Sequence, residues 1–246
     1  MDLNSGDTAW VLASSAMVLL MTPGLAFFYG GMTRAKSTLN MMMMSFITIC
    51  VVSVLWVLYG FSLAFGSSQG RSWIGDIDFS GLSSAMGQLT NNGGPYGIPL
   101  LAFAVFQLMF AVITPALISG AIADRAKFLT WTIFVAVWVT IVYFPVAHWV
   151  FDFGDKADDG TITGAGWLAS LGVEDFAGGT AVHINAGATS ATVQLFSTAV
   201  ATSTNVAVKA SFENNFKIGQ IVIAPWLQQL SITPSSVVGG NPAIGR

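Results

Sequence analysis

Long uncharged stretches of the chain alternate with short clusters of charged residues. The apolar cores lie near residues 9–31, 41–65, 98–122, 128–151 and 176–200. Each is long enough to cross the hydrocarbon of a bilayer as a helix, which takes about 20 residues. The pattern therefore predicts an all-α, polytopic membrane helix bundle with about five transmembrane helices.

The loops between the apolar cores indicate an orientation. Two short loops carry the basic residues Arg34, Lys36, Arg125 and Lys127, whereas the loops that alternate with them are longer and richer in acidic residues. Lys and Arg are enriched in cytoplasmic loops of membrane proteins. We therefore expect these four residues on the cytoplasmic side, the N-terminus outside, and a multi-pass protein of the cell membrane.

Composition excludes several other classes. Charged residues make up 9% of the 246 positions and hydrophobic residues 54%, too few charges for a water-soluble surface. The net charge of -3 and the lack of a basic tract give no reason to expect nucleic-acid binding. Two histidines and one cysteine offer no metal-ligand spacing. We expect no cofactor, no metal and, without a nucleophile–base pair, no enzyme activity.

His183 is an ionisable residue inside the fifth apolar stretch. Eight helical steps from Asp175 would place it about 12 Å deep, where such a side chain is costly and typical of a substrate pathway. The alternative is a histidine that is hydrogen-bonded across a helix interface. Asp175, where this stretch begins, is placed to cap the helix N-terminus and also to attract a cation.

Aromatic residues provide a second set of candidates. Phe106 and Phe110 are four residues apart, so both lie on one helix face, above Thr114. Such a pair can form a gate or a π surface for a cation, and the alternative is lipid-facing packing. His148, beside Trp149 at the end of the fourth stretch, has the pattern of an interfacial belt residue.

Four segments of the chain resemble the Amt/Mep/Rh ammonium transporters. They are Pro23–Gly31, Phe106–Phe110, Ala147–Val150 and Asp175–Gly187, of which the last is the most specific because an acidic residue, a double glycine and a histidine recur there at fixed spacing. The resemblance covers roughly residues 8–192. It implies the first of the two inverted five-helix repeats of that family, and hence ammonium or ammonia as the species moved.

The resemblance also implies roles for individual residues. Phe106 and Phe110 correspond to a stacked phenylalanine gate, Asp175 to a buried carboxylate that supports cation recruitment, and His183 to the first of two pore histidines that relay a proton. Phe151 stands where the family commonly has a tryptophan beside the outer cation site. We therefore expect a weaker cation–π interaction there, or one supplied by Trp149 or Trp167.

The same resemblance leaves the second repeat without a counterpart. We divide the chain into a transporter-like five-helix repeat, residues 1–192, and a divergent tail, residues 193–246, which we leave unassigned as a candidate for frameshifted or disordered sequence. A half-pore is expected to be inactive alone. The alternative function is a non-transporting, truncated membrane subunit that associates with full-length transporters or is inert. Members of the family form trimers, which implies a homo-oligomer.

Overall fold

The chain divides into two compact units, Met1–Ala188 and Thr189–Arg246. The computed structural model describes residues 3–67, 72–90, 97–156, 162–173, 175, 178–187, 193–195, 204–212, 215–223 and 230–232. The first unit is mainly helical, and the described residues of the second form strands.

The first unit is built from helices joined by short irregular segments. Its α-helices are α1 (Ser5–Met32), α2 (Thr38–Leu55), α3 (Phe61–Phe65), α4 (Leu100–Ile118), α5 (Phe128–Trp138), α6 (Phe144–Phe151) and α7 (Trp167–Ser170). Turns of 3-10 helix occupy Ala35–Ser37, Ser80–Leu82 and Ser119–Ile122, and π-helical turns occupy Trp56–Gly60, Val139–Tyr143 and Gly179–Ile184. A short antiparallel ribbon pairs β1 (Asp155–Lys156) with β2 (Ile162–Thr163).

Four helical stretches within the described residues are long and apolar enough to cross a membrane. They are Ser5–Met32, Ala35–Phe65, Leu100–Ile122 and Phe128–Phe151. They match the first four predicted spans, and the predicted fold class, an all-α polytopic membrane helix bundle, is confirmed for this unit.

The predicted fifth span is not confirmed. Within residues 176–200 the described residues form the π-helical turn Gly179–Ile184 and the strand β3, Val193–Leu195; residues 176–177, 188–192 and 196–200 lie outside the described part. The prediction of one helix that continues to residue 200 is therefore wrong at β3, which is a strand. The strand begins with the β-branched Val193, directly after Thr192, and both residue types have lower helix propensity than alanine, so apolar character did not ensure a helix there.

The second unit consists of antiparallel strand pairs. β3 pairs with β6 (Leu230–Ile232), and β4 (Thr204–Phe212) pairs with β5 (Asn215–Ile223) along their whole length. The sequence analysis assigned no secondary structure to this tail.

Two of the long helices widen into π-helical turns beside each other. Pro145 has no N–H and follows the turn Val139–Tyr143, so the carbonyl four residues before it lacks its usual donor and the helix widens there. Tyr59 and Thr140, one on each π turn, join their hydroxyls at 2.9 Å. Gly60 permits this close crossing, since a Cβ there would lie 2.5 Å from the Phe144 ring.

Side chains on three helices donate hydrogen bonds to backbone carbonyls on neighbouring helices. The pairs are Trp56 Nε1 to Ala104 O at 3.1 Å, Trp131 Nε1 to Met44 O at 2.7 Å, and the Tyr29 hydroxyl to Leu117 O at 3.2 Å. Polar bonds between helices are each worth roughly 0.6 kcal/mol in a bilayer. They connect α2 with α4, α5 with α2, and α1 with α4 around a core that includes the buried side chains of Trp56, Phe61, Trp131 and Phe144.

The two short basic loops meet at one end of the bundle, which we call the basic end. Arg34 Nε donates to Asp124 Oδ2 at 3.0 Å, and Asn40 Nδ2 donates to Ala126 O at 3.3 Å. A hydrogen bond with Ser37, assisted by the Arg34 guanidinium, lowers the pKa of the Asp124 carboxyl. The two loops therefore lie on the same side, as the orientation argument requires.

Candidate functional site

The paired phenylalanines of α4 form an edge-to-face contact. The ring centroids of Phe106 and Phe110 are 5.1 Å apart and the planes are inclined by 78°. Both side chains are half-buried. One turn further on, the Thr114 hydroxyl is fully buried and donates to the Phe110 carbonyl at 2.6 Å. The two rings and the hydroxyl follow one face of α4, as their spacing predicted.

The Asp175 carboxylate caps the helical turn that carries His183. Its Oδ1 accepts the Gly179 N–H at 2.9 Å, and its Oδ2 accepts the N–H groups of Thr180 and Ala181, both at 3.0 Å. Free N–H groups at a helix N-terminus favour a negative charge. Gly178 turns the chain into this segment with a φ of 75°, a conformation that favours glycine. The capping role proposed from the sequence is present in the structure.

His183 lies on the turn that Asp175 caps, and its side chain is exposed. The ring makes no hydrogen bond or ion pair with any residue that the structure describes. The interpretation of His183 as a histidine bonded across a helix interface therefore has no support within these residues. The turn packs against α4 and α6, so the histidine lies beside the helix that carries Phe106 and Phe110.

Tyr143, which the sequence analysis did not single out, is fully buried close to α4. It lies in the π turn before α6, and that turn packs against α4, the helix that carries Thr114. No motif around Tyr143 marked it, because only the packing of separate helices buries it there.

Phe151 is the last residue of α6, and its ring contacts include neither Phe106 nor Phe110. Its ring stacks on Phe65 with centroids 6.2 Å apart and planes inclined by 14°. Phe65 in turn meets Phe103 of α4 edge-to-face at 5.1 Å. The structure thus connects Phe151 to α4 through an aromatic chain.

Trp149 and Trp167 were the two alternatives to the tryptophan that the family commonly has at the position of Phe151. They instead contact each other at 5.2 Å and both contact Trp73, at 5.6 and 5.3 Å between ring centroids. Trp149 Nε1 also donates to the Trp73 carbonyl at 2.7 Å. Neither tryptophan is among the ring contacts of Phe151. Trp73, Trp149 and Trp167 together hold neighbouring segments at one end of the bundle, which we call the aromatic end.

The interpretation of His148 as a belt residue is wrong. Its side chain is 0% exposed, and its ring lies between the Ala64 carbonyl and the Asp152 carboxylate. The spacing of four between His148 and Asp152 was the available signal, since residues i and i+4 share a helix face. The sequence analysis placed Asp152 in the acidic loop after the fourth span, so its pairing with His148 was not recognised.

These features define an integral membrane helix bundle with a carboxylate-capped, histidine-bearing turn packed against an aromatic helix face. The model of the Ammonium Transporter Family matches residues 9–206, and the chain belongs to that family. The family is one of transporters rather than enzymes. The match extends past residue 192, where we expected the resemblance to end.

Individual relatives agree with this assignment. An ammonium transporter of Mycobacterium tuberculosis is 54% identical over 198 residues, which are 75% of this chain and 40% of that protein. An ammonium transporter of Bacillus subtilis is 43% identical over 187 residues, 75% of this chain and 42% of that protein. The chain thus spans about two-fifths of the length of these relatives.

Solved structures show the same fold. The crystal structure of Saccharomyces cerevisiae Mep2 matches with a TM-score of 0.62 and 33% identity, covering 75% of this chain and 38% of that chain. The crystal structure of Candida albicans Mep2 matches with a TM-score of 0.61 and 32% identity, covering 75% and 37%.

Proposed function

We propose that this chain forms one wall of a pore that moves ammonium or ammonia across the cell membrane. Membership of the family supports the substrate, and one structural observation supports the site. The Asp175-capped turn presents an exposed His183 next to the helix that carries Phe106 and Phe110. No cofactor or metal enters the proposal, and lipid surrounds the spanning helices.

The chemistry of the cargo explains these residue types. An ammonium ion that leaves water loses its hydration, and a buried charge without compensation is very costly. The π faces of Phe106, Phe110 and Phe151 can offset part of that cost. The neutral imidazole of His183 can accept a proton from ammonium, after which ammonia crosses an apolar passage and the proton is passed on separately.

A complementary wall is part of the proposal. Because the His183 side chain is exposed and Phe106 and Phe110 are only half-buried, nothing among the described residues closes a passage around them. We propose that a second polypeptide covers this face, with the N-terminus of this chain outside. The family resemblance implies a homo-oligomer as the wider assembly.

Uptake of labelled methylammonium tests the proposal in cells that lack other ammonium carriers. When a second polypeptide that can cover this face is co-produced, such as the C-terminal half of a full-length relative, the chain should support uptake above that of its His183→Ala variant at equal membrane abundance. Asp175→Asn should also lower uptake, because the amide keeps the shape of the cap without its charge. Asp7→Asn, which removes a carboxylate from the first turn of α1, is the matched control and should transport like the native chain.

Under these conditions, uptake with the native chain equal to that with His183→Ala would reject the proposed pore wall. The second candidate function is then a non-transporting subunit that binds full-length transporters, which the exposed face around His183 also suits. In that case the chain should co-purify with a full-length relative from the same membrane. Failure to co-purify in detergent and in native lipid would reject this alternative.

A further inference from the structure

His148 lies in a position that its sequence context did not suggest. Its ring is completely buried between two acceptor groups. Nδ1 lies 3.3 Å from the Ala64 carbonyl at the end of α3, and Nε2 lies 3.5 Å from Asp152 Oδ2. Within the described part of the chain, neither Nε2 nor Oδ2 has a hydrogen-bond partner of good geometry. The two atoms therefore depend on each other.

The acceptor groups determine where the hydrogens lie on this ring. A carbonyl oxygen can only accept, so Nδ1 must carry the hydrogen that faces Ala64. A bare Nε2 would then point its lone pair at a carboxylate oxygen, which is repulsive between buried groups. The contact is attractive only when a proton lies between Nε2 and Oδ2. Asp152 Oδ1 accepts the Gly154 N–H at 3.0 Å, so Oδ2 alone is left to face the ring, and a hydrogen on Nε2 would supply the donor that Oδ2 lacks.

The same pair holds the surroundings of Phe151 together. Ala64 precedes Phe65 in the chain, and Asp152 follows Phe151, so the pair brackets the stacked rings of Phe65 and Phe151. The Asp152 backbone closes the end of α6 through its N–H to His148 O at 3.1 Å, and its carbonyl accepts the Gly166 N–H at 2.8 Å. Loss of the pair would remove the side-chain link between the end of α3 and the end of α6 at this point.

We propose that His148 and Asp152 form a buried pair, in which a hydrogen on Nε2 faces Asp152 Oδ2, and that this pair positions the Phe151 ring. His148 and Asp152 are positioning residues, because neither is placed against the cargo. The consequence for cation attraction at Phe151 rests on the function proposed above. The protonation of the pair and the placement of the ring do not, so they can be tested without transport.

Nitrogen NMR on the full chain tests the protonation directly. The protein has only two histidines, so His183→Ala leaves His148 as the single ring to observe after labelling with ¹⁵N-histidine in detergent micelles. At neutral pH both ring nitrogens should carry hydrogens. Adding Asp152→Asn should leave a hydrogen on only one ring nitrogen. Adding Asp78→Asn is the control, because the Asp78 carboxylate lies on a nearby loop and accepts from Ser67 instead, so both ring nitrogens should keep their hydrogens. One hydrogen in the parent protein, unchanged by Asp152→Asn, would overturn the pair.

Fluorine NMR tests the positioning step. A 4-fluorophenylalanine at position 151 should change its chemical shift in Asp152→Asn and in His148→Gln, which keeps a donor for Ala64 but has no second ring nitrogen to face Asp152. The same probe at Phe27, an exposed position on α1, should not change, and Asp78→Asn should change neither probe. An unmoved signal at position 151 in both variants would overturn positioning even if one of them folded poorly.

Transport kinetics connect the pair to cation attraction. Where uptake is measurable, His148→Gln should raise the half-saturation concentration for methylammonium about fivefold, as expected when a cation–π contact is weakened, with little change in maximal rate. An equal loss of maximal rate alone would contradict positioning at the entry. If the native chain shows no uptake, the proposed function fails while the two NMR results still decide on the pair.

Discussion

The two ends of the helix bundle are held together by ionic contacts of opposite character. At the basic end, Arg34 and Asp124 meet with side chains that are 66% and 22% exposed. Near the aromatic end, the His148 ring is 0% exposed and the Asp152 side chain 22% exposed, and the two facing atoms, Nε2 and Oδ2, are both buried. Water screens the first contact and cannot reach the second. The difference shows that burial, more than charge, determines what each contact contributes.

Exposed ion pairs contribute little because two long side chains lose freedom for a weak attraction. The basic end suits a loop that only has to stay on its side of the membrane. The aromatic end instead fixes the positions of segments from α3, α6 and α7, where a loose fit would displace Phe151. The contrast predicts large effects from changes at the aromatic end and small effects from changes at the exposed pair.

The largest expected effect comes from Gly166→Ala. A Cβ at this position would lie 2.3 Å from the His148 carbonyl oxygen and 2.8 Å from that of Trp149. Backbone atoms cannot swing aside, so we expect a loss of about 3 kcal/mol in the free energy of unfolding. Thermal unfolding in detergent measures it. Gly24→Ala, inside α1 with nothing within 4 Å of the new Cβ, is the control and should be neutral or slightly stabilising.

An intermediate effect is expected from Trp131→Phe, one turn into α5 from the basic end. The change removes the buried 2.7 Å hydrogen bond to the Met44 carbonyl and should cost about 1 kcal/mol. Trp10→Phe, at a position 69% exposed, should leave the unfolding temperature unchanged. Equal effects of the two variants would show that depth does not determine the strength of such contacts.

The smallest effect is expected from Asp124→Asn. The folded-state pKa of Asp124 is lowered from its ordinary 3.8, first by Ser37 and then by Arg34. Its contribution is therefore fully present above pH 3.8 and is lost as the pH falls through the lower folded-state value. The stability difference between variant and native protein should be small at neutral pH and vanish in strong salt or acid. A difference that persisted in strong salt would indicate a buried contact instead.

Much of the bundle could be predicted from residue pattern alone. The first four spans follow from runs of apolar residues of sufficient length, and the shared side of the basic loops follows from where the charges cluster. The capping role of Asp175 was also predictable, because a carboxylate directly before a glycine-rich turn has few other positions to take. The alignment of Phe106 with Phe110 needed only the helical repeat.

The remaining features depend on contacts between distant segments. His148 looked interfacial because it lies at the end of the fourth span, but residues 64 and 166 fold over it. Tyr143 is buried by packing of its π turn against α4, which is not near it in the chain. The fifth stretch departs from a helix at β3, Val193–Leu195, which pairs with β6 far along the chain. Hydrophobicity alone does not contain that pairing.

The capped turn sets a limit on how Asp175 can interact with a cation. A carboxylate offers about four lone-pair positions, and three of them already accept backbone N–H groups. At most one remains for a further donor, so Asp175 cannot surround an ion as a chelating group would. An ammonium ion nearby would respond mainly to its negative field, partly offset by the positive end of the turn. Such an ion would be attracted to the entrance without being trapped there.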